Sequence, residues 1–203
     1  VASDRVGNPW FGKSVSLSAD GNTALVGGYN DNANAGAAWI FTRSGSTWTQ
    51  QGSKLVGTGA IGAAQQGTYV SLSADGTIAA IGGAGDDSNK GATWIFTRSG
   101  STWTQQGNKL VGTGAVGASK QGQSVALSAD ATTLLIGGIN ATSNVSNAWV
   151  FTRSGATWTQ QGTTLVGSDA IGTAANGTSV SLSADGNTAM MGSVSDNNNT
   201  RAA

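Results

Sequence analysis

The chain has 203 residues, with ten Asp, no Glu, ten Lys plus Arg and a formal net charge of +0. It has neither His nor Cys, which excludes a Cys/His zinc site, a disulfide framework, a Cys nucleophile and a His general base. Zero net charge offers no basic face to nucleic acid, and no apolar run approaches the ~20 residues of a membrane-spanning helix.

Residues 14–18 read Ser-Val-Ser-Leu-Ser, a period-2 alternation that predicts a first strand. Residues 19–22, Ala-Asp-Gly-Asn, form a turn signal, since Gly and Asn tolerate positive φ. Residues 23–28 are small and β-branched and read as a second strand. Residues 29–36 are polar and Asn-rich, a loop. A third strand is predicted over 37–43, with Trp39 and Phe41 on one face and Ile40 on the other. Ser44-Gly45-Ser46 turns the chain, a fourth strand is expected over 47–56, and 57–66 leads onward. Lacking Glu and runs of strong helix formers, the chain offers little to a helix.

The pattern then repeats. SLSADG begins at Ser16 and Ser71, returns as ALSADA at Ala126 and again as SLSADG at Ser181, always 55 residues on. WIFTRSGSTWTQQG begins at Trp39 and Trp94 and returns as WVFTRSGATWTQQG at Trp149, in the same register. The units run approximately over 11–65, 66–120, 121–175 and 176–203, and 1–10 correspond to the tail of a preceding unit. Four antiparallel strands per unit point to an all-β fold, a β-propeller segment of four-stranded blades. A parallel β-helix has shorter coils and does not need two hairpin turns per repeat. Three blades are complete, and the fourth is expected to hold only its inner two strands. Open blade edges are unfavourable. The chain therefore reads as a piece of a longer propeller, or as one closed between chains as a homo-oligomer or filament.

Phe11-Gly12, SVSLSADGNTALVGG over 14–28 and GAAWIF over 36–41 resemble the FG-GAP repeat, the unit of the integrin α propeller and of many bacterial surface proteins. The bacterial variant with LSADGNT in its first hairpin is the nearest in pattern. The resemblance implies a surface-binding propeller, extracellular or displayed on a cell. The Phe-Gly pair survives only at Phe11-Gly12; its counterparts are Gln66-Gly67, Gln121-Gly122 and Asn176-Gly177. Integrin-type repeats often hold calcium in the first hairpin. Here each hairpin has one acid, at Asp20, Asp75, Asp130 or Asp185, and calcium takes roughly six to eight oxygens, so no cofactor is expected.

Two groups of residues are candidates. The loops between strands two and three differ between units while the strands hardly change, which suits ligand recognition on a rigid scaffold. Tyr29, Asn30, Asp31, Asp86, Asp87, Asn140 and Asp196 are the binding candidates there. Asp20 with Arg43, Asp75 with Arg98 and Asp130 with Arg153 lie at the end of the blade where strands one and three both end, and are expected to form a repeated structural ion pair or turn-bracing hydrogen bond. The tryptophans at 39, 94, 149, 48, 103 and 158 keep register and read as core, whereas Trp10 has Gln65 and Lys120 as counterparts and is expected to be exposed. Asn140, Asn144, Asn176 and Asn198 begin Asn-X-Ser/Thr triplets, which an Asn- and Thr-rich chain produces by chance. No catalytic set recurs. The expected function is a non-enzymatic recognition or adhesion module with a protein or glycan ligand. The alternatives are a self-assembling repeat protein and a propeller lectin.

Overall fold

Short alternating strands separated by turn residues build every unit of the computed structural model. It describes residues 2–115, 117–139, 146–166, 176–196 and 200–202. The first sheet joins β1 (Val15–Leu17), β2 (Thr23–Gly28), β3 (Ala37–Ser44) and β4 (Thr47–Gln50) in sequence order. The second joins β5 (Gln66–Leu72), β6 (Ile78–Gly83), β7 (Ala92–Ser99) and β8 (Thr102–Gln105). The third joins β9 (Ser124–Leu127), β10 (Thr133–Ile139), β11 (Ser146–Ser154) and β12 (Thr157–Leu165). All pairs within these sheets are antiparallel.

The fourth sheet corrects the sequence reading. It has three strands, β13 (Asn176–Leu182), β14 (Ala189–Asp196) and β15 (Thr200–Ala202). Ser193 pairs with Ala202, the register in which Gly28 pairs with Ala37, so the third strand has begun in its proper place. The fourth strand of the first two units also differs from expectation. It stops at Gln50 and Gln105, just before Gly52 and Gly107 at φ of 70 and 69°, whereas β12 of the third unit runs through Gly162 at the same φ with a shift in register. The chain then returns, and Leu55 and Leu110 bond Ala38 and Thr93 as single bridges.

Consecutive sheets stack face to face. The trailing face of the first blade (Leu25, Ala38, Ile40) packs against the leading face of the second (Val70, Leu72, Trp94, Phe96). Ala80 and Ile95 meet Val125, Trp149 and Phe151 in the same way. Trp39, Trp94 and Trp149 are all fully buried. Small residues line the space they fill: a Cβ on Gly57 or Gly112 would collide with the indole of Trp94 or Trp149. The indole Nε1–H groups donate to the Thr58 and Thr113 carbonyls at 2.8 and 2.9 Å, so each linker is bonded to the blade it enters. Trp103 and Trp158 lie half-buried and donate to Gln51 and Gln106 of the preceding blade's outer edge. Trp48, expected in the core, is exposed, with the Arg43 guanidinium over its ring.

Thr93 interrupts an otherwise consistent interior. Its hydroxyl is buried without a hydrogen-bond partner, where the first and third units place Ala38 and Ala148. A stranded buried hydroxyl costs about 1–3 kcal/mol. Thr93→Val keeps the shape and removes the hydroxyl, so we expect it to stabilise the fold by about 1 kcal/mol in urea denaturation. A destabilised variant would mean that the hydroxyl is satisfied in solution.

Candidate functional site

The loops between second and third strands meet the interblade linkers at one end of the blades. In the first unit the buried Asp31 carboxylate accepts from the Val6 N–H at 2.6 Å and pairs with Lys54. In the second, the buried Asp86 accepts from the Ile61 N–H at 2.7 Å and pairs with Lys109. One carboxylate thus ties the linker entering a blade to the linker leaving it. The following turn is left-handed: Asn32, Ala33 and Asn34 have φ of 49, 56 and 69°, and Asp87, Ser88 and Asn89 repeat this at 45, 57 and 69°. Non-glycine residues resist that region by about 1–2 kcal/mol each, least for Asn and Asp. Linker bonds hold the turn there, from the Asn32 N–H to the Val6 carbonyl and from the Asp87 N–H to the Ile61 carbonyl.

Asp31 and Asp86 were expected to meet a ligand. They are instead buried struts, with their oxygens already spent on linker N–H and ammonium donors. A signal for this did exist in the sequence. Each Asp precedes its Lys by the same 23 residues, and the third unit lacks both, with Ala141 and Thr164 in their places. Asp87 does face solvent, paired with Lys90 at 2.7 Å, and the Lys90 hydrogen bond and charge lower its pKa. Asp196 ends β14, and Asn140 lies outside the described residues, as do Asn144 and Asn198.

In the first unit, Tyr29 and Asn30 meet the segment that carries Trp10. The ring of Trp10 meets Tyr29 edge-on at 5.8 Å, and the Asn30 amide donates to the Asn8 carbonyl at 2.9 Å. Trp10 is 58% exposed and borders an open cleft of about 680 Å³ with Arg5, Asn8, Phe11 and Lys13. The corresponding places for Trp10 and Tyr29 hold Gln65 and Ala84 in the second unit, and Lys120 and Ile139 in the third. Phe11 takes the place of Gln66 and Gln121, whose amides bond both backbone groups of Gly57 and Gly112. Phe11 instead packs edge-on against Trp39 and Phe41, at 5.4 and 5.9 Å. Asp4 compensates: it accepts from the Trp39 indole, the Gln50 amide and the Lys54 N–H. These hydrogen bonds outweigh the partial burial of Asp4, and its pKa falls.

The opposite end of the blades carries the first hairpin turns, where an ion pair or a turn-bracing hydrogen bond was expected. Among the described residues no ion pair joins Asp20 to Arg43, Asp75 to Arg98 or Asp130 to Arg153. Each carboxylate braces its own turn instead. Asp20 accepts from the Ser18 hydroxyl at 2.5 Å and the Asn22 N–H at 2.9 Å. Ser73 and Thr77 serve Asp75, and Ser128 and Thr132 serve Asp130. These local donors are closer than any guanidinium, which turns elsewhere: Arg43 to the Asn22 side chain, Arg98 to the Gly100 carbonyl and Arg153 to the Ala131 carbonyl. A calcium ion does not fit this turn. Its single carboxylate is occupied by N–H and O–H donors, and Arg43 brings a cation alongside.

The donors hold the turn acids ionised. The Ser18 hydroxyl and Asn22 lower the pKa of Asp20, the Thr132 N–H and Ser128 lower that of Asp130, and Ser183 and Asn187 lower that of Asp185. For Asp75, burial pushes upward but the Ser73 and Thr77 bonds outweigh it.

Residues 1–41 match the model of the FG-GAP repeat family. Among solved structures, the chain is similar to a putative TolB from Agrobacterium tumefaciens at 15% identity and TM-score 0.52, covering 94% of this chain and 60% of that one. It also resembles TolB from Acinetobacter baumannii (12% identity, TM-score 0.48, 88% of this chain and 37% of that one). Hydrazine synthase from Kuenenia stuttgartiensis follows, at 11% identity and TM-score 0.44, with 95% and 57% covered. The chain spans three-fifths or less of each of these chains. No curated protein sequence matches it. The likeness is one of fold: a β-propeller segment that carries an FG-GAP repeat.

Two tests follow from the struts and the turns. Asp86→Ala strands the Lys109 ammonium, and a broken buried pair costs about 3 kcal/mol. Adding Lys109→Thr, which copies the third unit, should restore most of that loss in thermal denaturation. A double variant as unstable as the single one would show that the pair does more than neutralise itself. For the turns, the folded-state pKa values lie below the unfolded ones. Their contribution is complete above the usual carboxylate range near pH ~4 and is lost as pH falls through the folded values. Urea midpoints should therefore be flat at neutral pH and drop on acidification, with a shallower drop for Asp75→Asn.

Proposed function

We propose that this FG-GAP-bearing propeller segment is a non-enzymatic recognition or adhesion module, extracellular or displayed on a cell surface. The observation that carries the reading is the exposed Trp10 beside its cleft, edge-on to the half-buried Tyr29, a pair that departs from the repeat while the strands beneath it keep it. A scaffold built from near-identical units has no packing reason to place two aromatics on one rim only. Rigid strands with variable connections are the common arrangement of binding surfaces. FG-GAP repeats typically belong to extracellular or periplasmic proteins, which supports the location. Among the described residues no helix is long and apolar enough to cross a membrane.

The Trp10 and Tyr29 rings, with Asn8, Asn30 and Arg5 beside them, also favour a glycan as the ligand. A sugar offers C–H faces to aromatic rings and hydroxyls to amides and guanidinium. The test is an array of extracellular-matrix proteins and glycans probed with the chain and with Trp10→Ala. Retention that falls at least about tenfold in Trp10→Ala is expected, the loss of one aromatic anchor. Trp48→Ala, an exposed Trp away from the cleft, should retain the ligand. Failure to retain anything on the array, or retention indifferent to Trp10, would overturn the reading.

A further inference from the structure

The junction of the first two blades leaves a groove of about 540 Å³ beside their fourth strands. Both of its walls are internal to the chain. One is the linker over 51–56 that follows β4, and the other is Phe96 of β7 with residues 101–103 at the start of β8. The volume lies within the roughly 300–1,000 Å³ of small-molecule sites. A smaller copy of about 250 Å³ stands one repeat later, between 106–110 and 156–158. Its Gln106 and Trp158 are the counterparts of Gln51 and Trp103, 55 residues on.

One repeated phrase, WTQQG, supplies both sides of the groove. The Trp103 indole Nε1–H donates across it to the Gln51 Oε1 at 3.2 Å, and Trp158 donates to Gln106 at 3.0 Å. That bond fixes the Trp103 ring, which is half-buried against the interblade core and borders the groove. The buried Phe96 and Leu55 add to the apolar lining. With its oxygen given to the indole, Gln51 keeps its Nε2 hydrogens, which no group accepts among the described residues. The Ser53, Ser101 and Thr102 hydroxyls stand exposed beside it. Among the described lining residues only Lys54 is charged, and its ammonium pairs with the buried Asp31, so the groove carries no net charge.

The geometry points to this groove as a binding site for a neutral saccharide. The C–H face of a sugar ring lies on the Trp103 indole, while the Gln51 amide hydrogens and the Ser and Thr hydroxyls meet its oxygens. An anionic ligand would find no uncompensated cation there. A purely apolar one would bury the Gln51 amide without a partner, which is costly. The copy at the next junction is the weaker site. Its Trp158 ring carries the Arg153 guanidinium at 5.9 Å, whereas Arg98 turns to the Gly100 carbonyl, and Ala156 replaces Ser101. The groove uses none of the residues of the Trp10 rim, so this inference does not rest on the ligand proposed there.

The experiment is a two-dimensional nitrogen–proton NMR titration of the chain with the methyl glycosides of glucose, galactose, mannose, fucose and N-acetylglucosamine, into the tens of millimolar. The Trp103 indole and Gln51 side-chain amide signals report on the groove, and the Trp10 indole signal reports separately on the rim. At least one glycoside should shift the Trp103 and Gln51 signals to saturation. Ser101→Arg brings a guanidinium over the groove from an exposed position and should weaken that binding at least about tenfold. Unmoved indole signals of the buried Trp39, Trp94 and Trp149 show that the variant is folded. Glycosides that leave the Trp103 and Gln51 signals in place, or shifts as strong in folded Ser101→Arg, would overturn the proposal. A glycoside that moves the Trp10 signal alone would support the rim and overturn the groove.

Discussion

The indole at each blade junction is the constraint on which the rest of this structure depends. Trp94 and Trp149 are fully buried, lie against linker glycines that leave no room for a side chain, and donate to linker carbonyls. Burying such a ring is worth about 4–6 kcal/mol as an upper bound on area grounds. One side chain thereby sets the distance between sheets, the path of the linker and the register of the next unit. Few charged groups are needed in such an interior, and the chain carries only 10% charged residues.

The charges that are buried have a different task. Asp31 and Asp86 pull two linkers and a left-handed turn together. An isolated buried carboxylate would be costly, and so would its lysine, which explains why the third unit has dispensed with both together. The pair orders the rim without adding anything a ligand could reach. Among the described residues, the exposed Trp10 and Asn8 there depart from the repeat.

The first unit shows how a repeat adapts when its packing partner changes. Phe11 replaces a glutamine that elsewhere bonds a linker glycine, and Ala2 stands where Gly57 does. The linker can no longer be held by the amide, and Asp4 takes over by accepting from Trp39, Gln50 and the Lys54 backbone. The same unit bears the exposed Trp10 of the rim. Departures from the repeat therefore collect where function is proposed.

Strand order, the 55-residue period, the propeller architecture and the core role of Trp39, Trp94 and Trp149 were legible in the sequence. Period-2 alternation and turn residues act locally, and repetition multiplies their signal until it is unambiguous. The exposure of Trp10 was legible for the same reason, as a break in register. The fates of the acids were not. Whether Asp20 meets Arg43 or its own turn is decided by a few ångströms of side-chain reach, and Ser18 and Asn22 are nearer. Whether Asp31 faces solvent or a lysine depends on how two linkers cross a loop, which only the stacked blades determine. Trp48 and Trp103 share a local sequence and differ in exposure, because what meets the indole, the Arg43 guanidinium or Gln51 of the neighbouring blade, is set by packing and not by the strand that carries the ring.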